Sequence, residues 1–112
     1  MGASQRAKGN RVEREFVTAI KELGLRAERV PLSGASHFRG CGHDVDVYRA
    51  GDEFPLCGEI KARKEIPAWL SGWLGDNDFL AIKEDRAEPL IVLPWRVWAR
   101  LLNPQNKENL GE

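Results

Sequence analysis

This chain has two cysteines, two histidines, one methionine and one tyrosine in 112 residues, and each scarcity excludes something. Cys41 and Cys57 are too few for the disulfide framework that staples small secreted domains, and they read as reduced thiols. No apolar run approaches the length of a membrane-spanning helix, and the start lacks the apolar core of a signal peptide. A cytoplasmic location with no membrane contact is therefore expected. No internal repeat or linker divides the chain, so one domain over 1–112 is expected, ending in a polar tail over 103–112. Net charge is also missing, with 17 Lys/Arg against 17 Asp/Glu. The balance hides an asymmetry: residues 1–64 hold 12 Lys/Arg against 9 Asp/Glu, and residues 65–112 hold 5 against 8.

What the sequence does have is chemistry concentrated in two short segments. Gly58-Glu59-Ile60-Lys61 and Gly42-His43-Asp44-Val45-Asp46-Val47 both alternate as β-strands do, with Val45, Val47 and Ile60 on one side. Asp44, Asp46, Glu59 and Lys61 then fall on the other. Paired strands would gather two or three carboxylates and an ammonium on one patch. Such crowding of like charge costs several kcal/mol unless a cation neutralises it, so the patch reads as a site for a hard divalent metal. The chemistry implied is metal-assisted hydrolysis, with a phosphodiester as the substrate class. A competing reading is a solvated hairpin face, where Glu and Lys simply pair across strands.

A helix is expected over 8–24, because Val12, Phe16, Ile20 and Leu23 recur at helical spacing. Asn10 suits its N-cap, Glu13 the capping-box position and Gly24 the stop. Glu13 lies at the edge of the buried stripe, whereas Glu15 shares a solvent-facing side with Thr18, Ala19 and Glu22. Glu13 is thus the helix glutamate that could face the sheet, unless it serves only as a cap near the positive end of the helix dipole.

The remainder reads as scaffold. A short strand is expected over 27–32, then a Gly-rich loop over 33–43, where Gly34, Gly40 and Gly42 permit close backbone approach to a ligand. A helix over 66–74 would start at Pro67 and stop at Gly75. Strands are expected over 79–83 and 89–93, the latter apolar enough to be buried on both faces, and a closing helix over 95–102. The order α-β-β-β-α-β-β-α indicates an α/β domain with a mixed sheet. The four tryptophans read as packing residues, within the core or between subunits, rather than as base-stacking platforms. Asp76-Asn77-Asp78 reads as a turn. His37, Cys41, His43 and Cys57 have the composition of a zinc set, but their Cys-x-His spacing fits no usual structural site.

In combination, Lys8-Gly9-x-x-x-Glu13-Arg14-Glu15 opening a helix, Arg29-Val30-Pro31-Leu32-Ser33-Gly34, the Asp44 segment and Glu59-Ile60-Lys61 resemble the archaeal-type Holliday junction resolvases of the PD-(D/E)XK nuclease superfamily. The resemblance covers roughly residues 6–64 and does not extend into the Trp-rich C-terminal third. It implies a restriction endonuclease-like fold and a metal-dependent endodeoxyribonuclease acting on branched DNA. Glu13 matches the helix glutamate, Glu59 the metal-binding glutamate and Lys61 the catalytic lysine. Asp44, which follows a glycine-rich turn, is preferred as the principal aspartate ligand, and Asp46 fits the spacing to Glu59. Mg²⁺ would be held by Asp44, Asp46 and Glu59, with Glu13 at a second metal or its water shell and Mn²⁺ able to substitute.

With the site carboxylates set aside, Arg6, Lys8, Arg11, Arg14, Arg29, Arg39, Arg63 and Lys64 dominate the first half, a distribution suited to a phosphate backbone. Ser33 joins them as an expected DNA contact. Since phosphates carry no base sequence, recognition of DNA shape is expected, and a two-fold homodimer would supply the two incisions that a four-way junction needs. Other DNA substrates of the superfamily, or a non-catalytic DNA-binding module with a vestigial site, are the rival readings.

Overall fold

The computed structural model describes residues 2–30 and 43–104, with side chains from Lys8 onward. The chain falls into two compact units, Met1–Ala62 and Arg63–Glu112. The expectations for the loop residues Ser33, Gly34, Gly40 and Gly42, for Arg39, His37 and Cys41, and for the side chain of Arg6 lie outside the described residues, as does the tail beyond Pro104.

The first unit opens with α1 (Gly2–Glu22), which begins earlier than the spacing of its apolar residues suggests. Ala3, Gln5, Arg6, Ala7 and Lys8 are good helix formers, so the helix propagates through Gly9 and Asn10 instead of starting there. Asn10 is therefore not an N-cap and Glu13 not a capping-box residue. At the other end Gly24 adopts φ 86°, and its N–H donates to the Lys21 carbonyl at 2.9 Å, closing the helix where a left-handed residue is needed.

Three strands follow: β1 (Arg26–Arg29), β2 (Val45–Tyr48) and β3 (Leu56–Gly58). They pair antiparallel in the order β1-β2-β3, with Ala27 opposite Val47 and Val45 opposite Gly58. Alternation along β2 buries Val45 and Val47 and leaves Asp46 and Tyr48 half-buried on the opposite face. α1 packs on β1 and β2, and Val17, Ile20 and Leu23 bury with Ala27, Val45 and Val47 to form this unit's core. On the sheet's other face the Arg26 guanidinium stacks 4.0 Å above the Tyr48 ring while pairing with Glu28 at 3.0 Å.

The second unit holds α2 (Ala68–Leu74), a hairpin of β4 (Leu80–Ile82) and β5 (Leu90–Val92), and α3 (Trp95–Leu102). Pro67 and Pro94 stand at the N-caps of the helices and Gly75 at the C-cap of α2, as their conformational preferences require. Val97, Ala99 and Leu102 are the buried residues of α3. Arg96 ties α3 to the Asp76-Asn77-Asp78 segment through Asp78 at 2.8 Å, and this contact holds the Asp78 carboxyl below its ordinary pKa.

Three expectations are corrected here. Every described strand pairing is antiparallel and lies in one of two separate ladders, so no mixed sheet is seen among the described residues. β5 is not buried on both faces: Leu90 is 68% and Ile91 53% exposed, because a two-stranded ladder covers little beyond itself. Trp69 and Trp73 are 51% and 60% exposed and meet each other at 5.1 Å between ring centroids, so this pair is not core.

Ile20 is fully buried beneath the first sheet. Ile20→Ala is expected to lower unfolding free energy by about 3 kcal/mol, the usual cost of a buried cavity. Exposed Ile91→Ala should change it by less than about 0.5 kcal/mol. Urea denaturation of both variants measures the contrast.

Candidate active site

The candidate chemistry lies where β2 enters the sheet. In a regular antiparallel strand one residue exchanges its N–H and C=O bonds with the same neighbour. Asp44 does not. Its N–H donates to the Gly58 carbonyl at 2.8 Å, toward β3, while its C=O accepts from the Val30 N–H at 2.9 Å, beyond β1. Since Val45 is also the register partner of Gly58, two consecutive residues address one, which is the pattern of a β-bulge.

The bulge re-aims the Asp44 side chain, whose Oδ2 accepts the Ile60 N–H at 2.7 Å. A carboxylate thus takes the place of a ladder carbonyl just beyond the end of β3. That corrects the expected strands over 42–47 and 58–61: the regular ladder starts at Val45 and stops at Gly58, leaving Asp44 and the Glu59-Ile60-Lys61 segment outside it. Glu59 and Lys61 still share a side, since Lys61 Nζ lies 2.5 Å from Glu59 Oε2. That hydrogen bond, reinforced by the ammonium charge, lowers the Glu59 pKa from its ordinary value.

The other site residues have partners of their own. Asp46 Oδ1 lies 2.6 Å from His43 Nε2, a contact across the bend that alternation would not have suggested. Glu13 Oε1 accepts from Arg29 Nε at 3.2 Å, and Arg29 Nη2 also donates to Asn10 Oδ1 at 3.0 Å, so one guanidinium ties α1 to the end of β1. Hence the structure brings Asp44 to Ile60, Glu59 to Lys61 and Glu13 to Arg29. No described bond joins Glu13 to Asp44, Asp46 or Glu59.

Among the expected DNA-contacting residues, Arg11 is exposed and lies 3.8 Å from Glu15 one helical turn on, while Arg29 is engaged within the fold. Arg63 and Lys64 are exposed at the start of the second unit, and Lys8 is half-buried on α1. An open groove along α1 and β1 is lined by Arg14, Lys21 and Arg29, with Val17, Ala27 and Glu28 among its other walls.

Sequence reasoning missed two arrangements. The support that Asp44 gives Ile60 has no period-based signal, because the bulge breaks the period. The cluster of His43, Asp46 and Cys57, whose ligand atoms all lie within 4.8 Å of one another, follows from hairpin register, which makes Cys57 the direct partner of Asp46.

Two outcomes are expected. Asp44→Asn can still accept the Ile60 N–H, whereas Asp44→Ala removes that acceptor and should lower stability by about 1–2 kcal/mol relative to Asp44→Asn in chemical denaturation. Glu59 should titrate below an ordinary glutamate in a carboxyl-detected NMR titration, and Lys61→Ala should raise its midpoint. Because the Glu59 pKa is depressed, its contact with Lys61 favours the fold above the unfolded-state pKa and is lost as pH falls through the folded one.

Residues 4–91 match the family model described as archaeal Holliday junction resolvase (Hjc). No curated protein matches the chain, and neither does any solved structure. The match takes in α1, the bulged sheet and the Glu59–Lys61 segment together with the second unit as far as Ile91, and the chain belongs to the archaeal Holliday junction resolvase family.

Proposed function

We propose that this protein is a Mg²⁺-dependent, structure-specific endodeoxyribonuclease that hydrolyses phosphodiester bonds in branched DNA, in the manner of a Holliday junction resolvase. The observation that carries it is the coincidence of the family match with a carboxylate–ammonium pair held beside a bulged aspartate.

The donor set suits a hard divalent cation. Asp44, Asp46 and Glu59 offer only carboxylate oxygens, the ligand type that Mg²⁺ and Mn²⁺ prefer, and one Asp44 oxygen remains when the other accepts the Ile60 N–H. When bound, such a cation supplies Lewis acidity and a water of lowered pKa. The residues do the positioning. Asp44 holds the Ile60 N–H, so the backbone that carries Glu59 and Lys61 is located relative to the aspartate itself. Lys61 orients the attacking water or neutralises charge growing on the phosphoryl oxygens. Glu13 helps to hold a second cation or its water shell from the α1 side, beside Arg29.

Arg6, Lys8, Arg11, Arg29, Ser33, Arg39, Arg63 and Lys64 supply phosphate contacts. Such contacts carry no base sequence, so selectivity comes from DNA shape and affinity falls steeply with salt. The protein works as a two-fold homodimer, giving two active sites for paired incisions. The exposed Trp69–Trp73 pair is a suitable aromatic centre for that interface.

Four-way junction, linear duplex and single-stranded DNA, each with and without Mg²⁺, provide the test. Metal-dependent cleavage of the junction is expected, and cleavage of linear duplex at an equal rate would overturn the junction preference. Glu59→Gln and Lys61→Ala should each reduce cleavage by at least about 10²-fold while junction binding persists. Asp44→Asn should be inactive and Asp46→Asn impaired. Near wild-type turnover in Glu59→Gln or Lys61→Ala would remove that residue from the reaction.

The dimer has its own measurement. Light scattering at tens of micromolar, roughly the range in which a standard-size interface persists, should give twice the chain mass. Trp69→Ala and Trp73→Ala should lower that mass more than they lower thermal stability, and a monomer in the wild type refutes the dimer.

A further inference from the structure

We propose that His43, Asp46 and Cys57 form a three-ligand site for a thiophilic divalent cation of the Zn²⁺ class, and that its occupancy withdraws Asp46 from the nuclease site. The second half of this proposal rests on the nuclease reading above; the first half does not.

The three residues converge for a reason built into the fold. Asp46 and Cys57 are direct partners in the β2–β3 register and therefore point to the same side of the sheet. His43 reaches the same place because the bulge at Asp44 breaks the alternation between them, and its Nε2 sits 2.6 Å from Asp46 Oδ1. One ligand atom from each residue lies within 4.8 Å of the other two. A tetrahedral cation with bonds of about 2.0–2.3 Å separates its ligands by about 3.5 Å, so modest side-chain rotation, with His43 and Asp46 moving apart from 2.6 Å, forms the site.

Donor chemistry chooses the cation. Thiolate, imidazole and carboxylate together suit Zn²⁺ and Co²⁺ and are a poor set for Mg²⁺, which favours oxygen. Three protein ligands leave a fourth position for water, the arrangement of an open zinc site. His43 is buried, and Asp46 and Cys57 are half-buried, so the ligands start from restricted conformations. Asp46 is common to this set and to the all-carboxylate set with Asp44 and Glu59. A carboxylate committed to Zn²⁺ among His43 and Cys57 is no longer free to serve Mg²⁺, so the thiophilic cation acts as an inhibitor.

Metal-free protein titrated with Co²⁺, and then with Zn²⁺ as competitor, tests the site without reference to catalysis. One Co²⁺ per chain is expected, with a thiolate-to-cobalt charge-transfer band that Zn²⁺ abolishes. Cys57→Ser should lose that band and bind Zn²⁺ at least about tenfold more weakly, in keeping with loss of a ligand. Cys41→Ser is the control for the other thiol and should keep the band. Circular dichroism verifies the fold of each variant, and Cys57→Ala replaces Cys57→Ser if the latter fails to fold. A wild-type protein without the band, or a band that survives in Cys57→Ser, overturns the site.

The coupling is read in junction cleavage at fixed Mg²⁺. Stoichiometric Zn²⁺ should inhibit the wild type and Cys41→Ser, while Cys57→Ser keeps its basal activity and escapes inhibition. Equal inhibition of Cys57→Ser overturns the coupling and leaves the site to the cobalt spectrum. Absence of Mg²⁺-dependent cleavage from every variant overturns the nuclease reading and the coupling with it, and the cobalt spectrum again decides the site independently.

Discussion

Asp44 carries the geometry on which the candidate site depends. Its backbone divides between two neighbours, with the N–H to Gly58 and the C=O to Val30, while its carboxylate accepts the N–H of Ile60. One residue thereby joins the end of β1, the bulge in β2 and the segment that follows β3. An acceptor of this charge also strengthens the bond, since a carboxylate is a better acceptor than a neutral carbonyl. Without it, Glu59 and Lys61 would belong to a frayed strand end. With it, they leave the sheet from a fixed point, and the aspartate that fixes them sits among the groups proposed to act.

The helix that covers the sheet meets the same region from the other side. Val17, Ile20 and Leu23 bury against β1 and β2, which is ordinary hydrophobic packing and sets the position of α1. Arg29 then adds direction by binding both Glu13 and Asn10, two residues three apart and therefore neighbours on the helix surface. This clamp lies one residue before Val30, whose N–H reaches the Asp44 carbonyl. Glu13 is thus coupled to Asp44 through a short path of backbone and guanidinium, whatever further role its carboxylate takes.

The parts of this fold that rest on periodicity were legible in the sequence. The buried stripe of α1, the alternation of Val45 and Val47 and the stops at Gly24 and Gly75 follow from spacing and from glycine's access to positive φ. What was not legible depends on departures from period. The start of α1 gave no stop signal, because its first residues are helix formers and Asn10 has a tertiary partner that outweighs its capping preference. The bulge at Asp44 inserts a residue that no alternation count can reveal, so the expected strands began too early and ended too late. The apolar run at β5 read as a buried strand, yet its neighbours within the second unit leave Leu90 and Ile91 exposed, because hydrophobicity reports a tendency to be covered and does not name the cover.

Motif identity and motif geometry were legible to different degrees for the same reason. Glu59-x-Lys61 places an anion and a cation two residues apart, and their ion pair follows from that spacing even outside regular strand. The aspartates are harder, because Asp44 and Asp46 are also two apart, and strict alternation would make them equivalent. The bulge separates them physically: Asp44 turns to the backbone of Ile60, and Asp46 turns to His43 with Cys57 across the ladder. Two carboxylates that look interchangeable in the sequence therefore meet different partners, Asp44 a backbone N–H and Asp46 an imidazole with a thiol across the ladder. That difference in partners follows from one extra residue in one strand, and it gives two aspartates only two positions apart unlike surroundings.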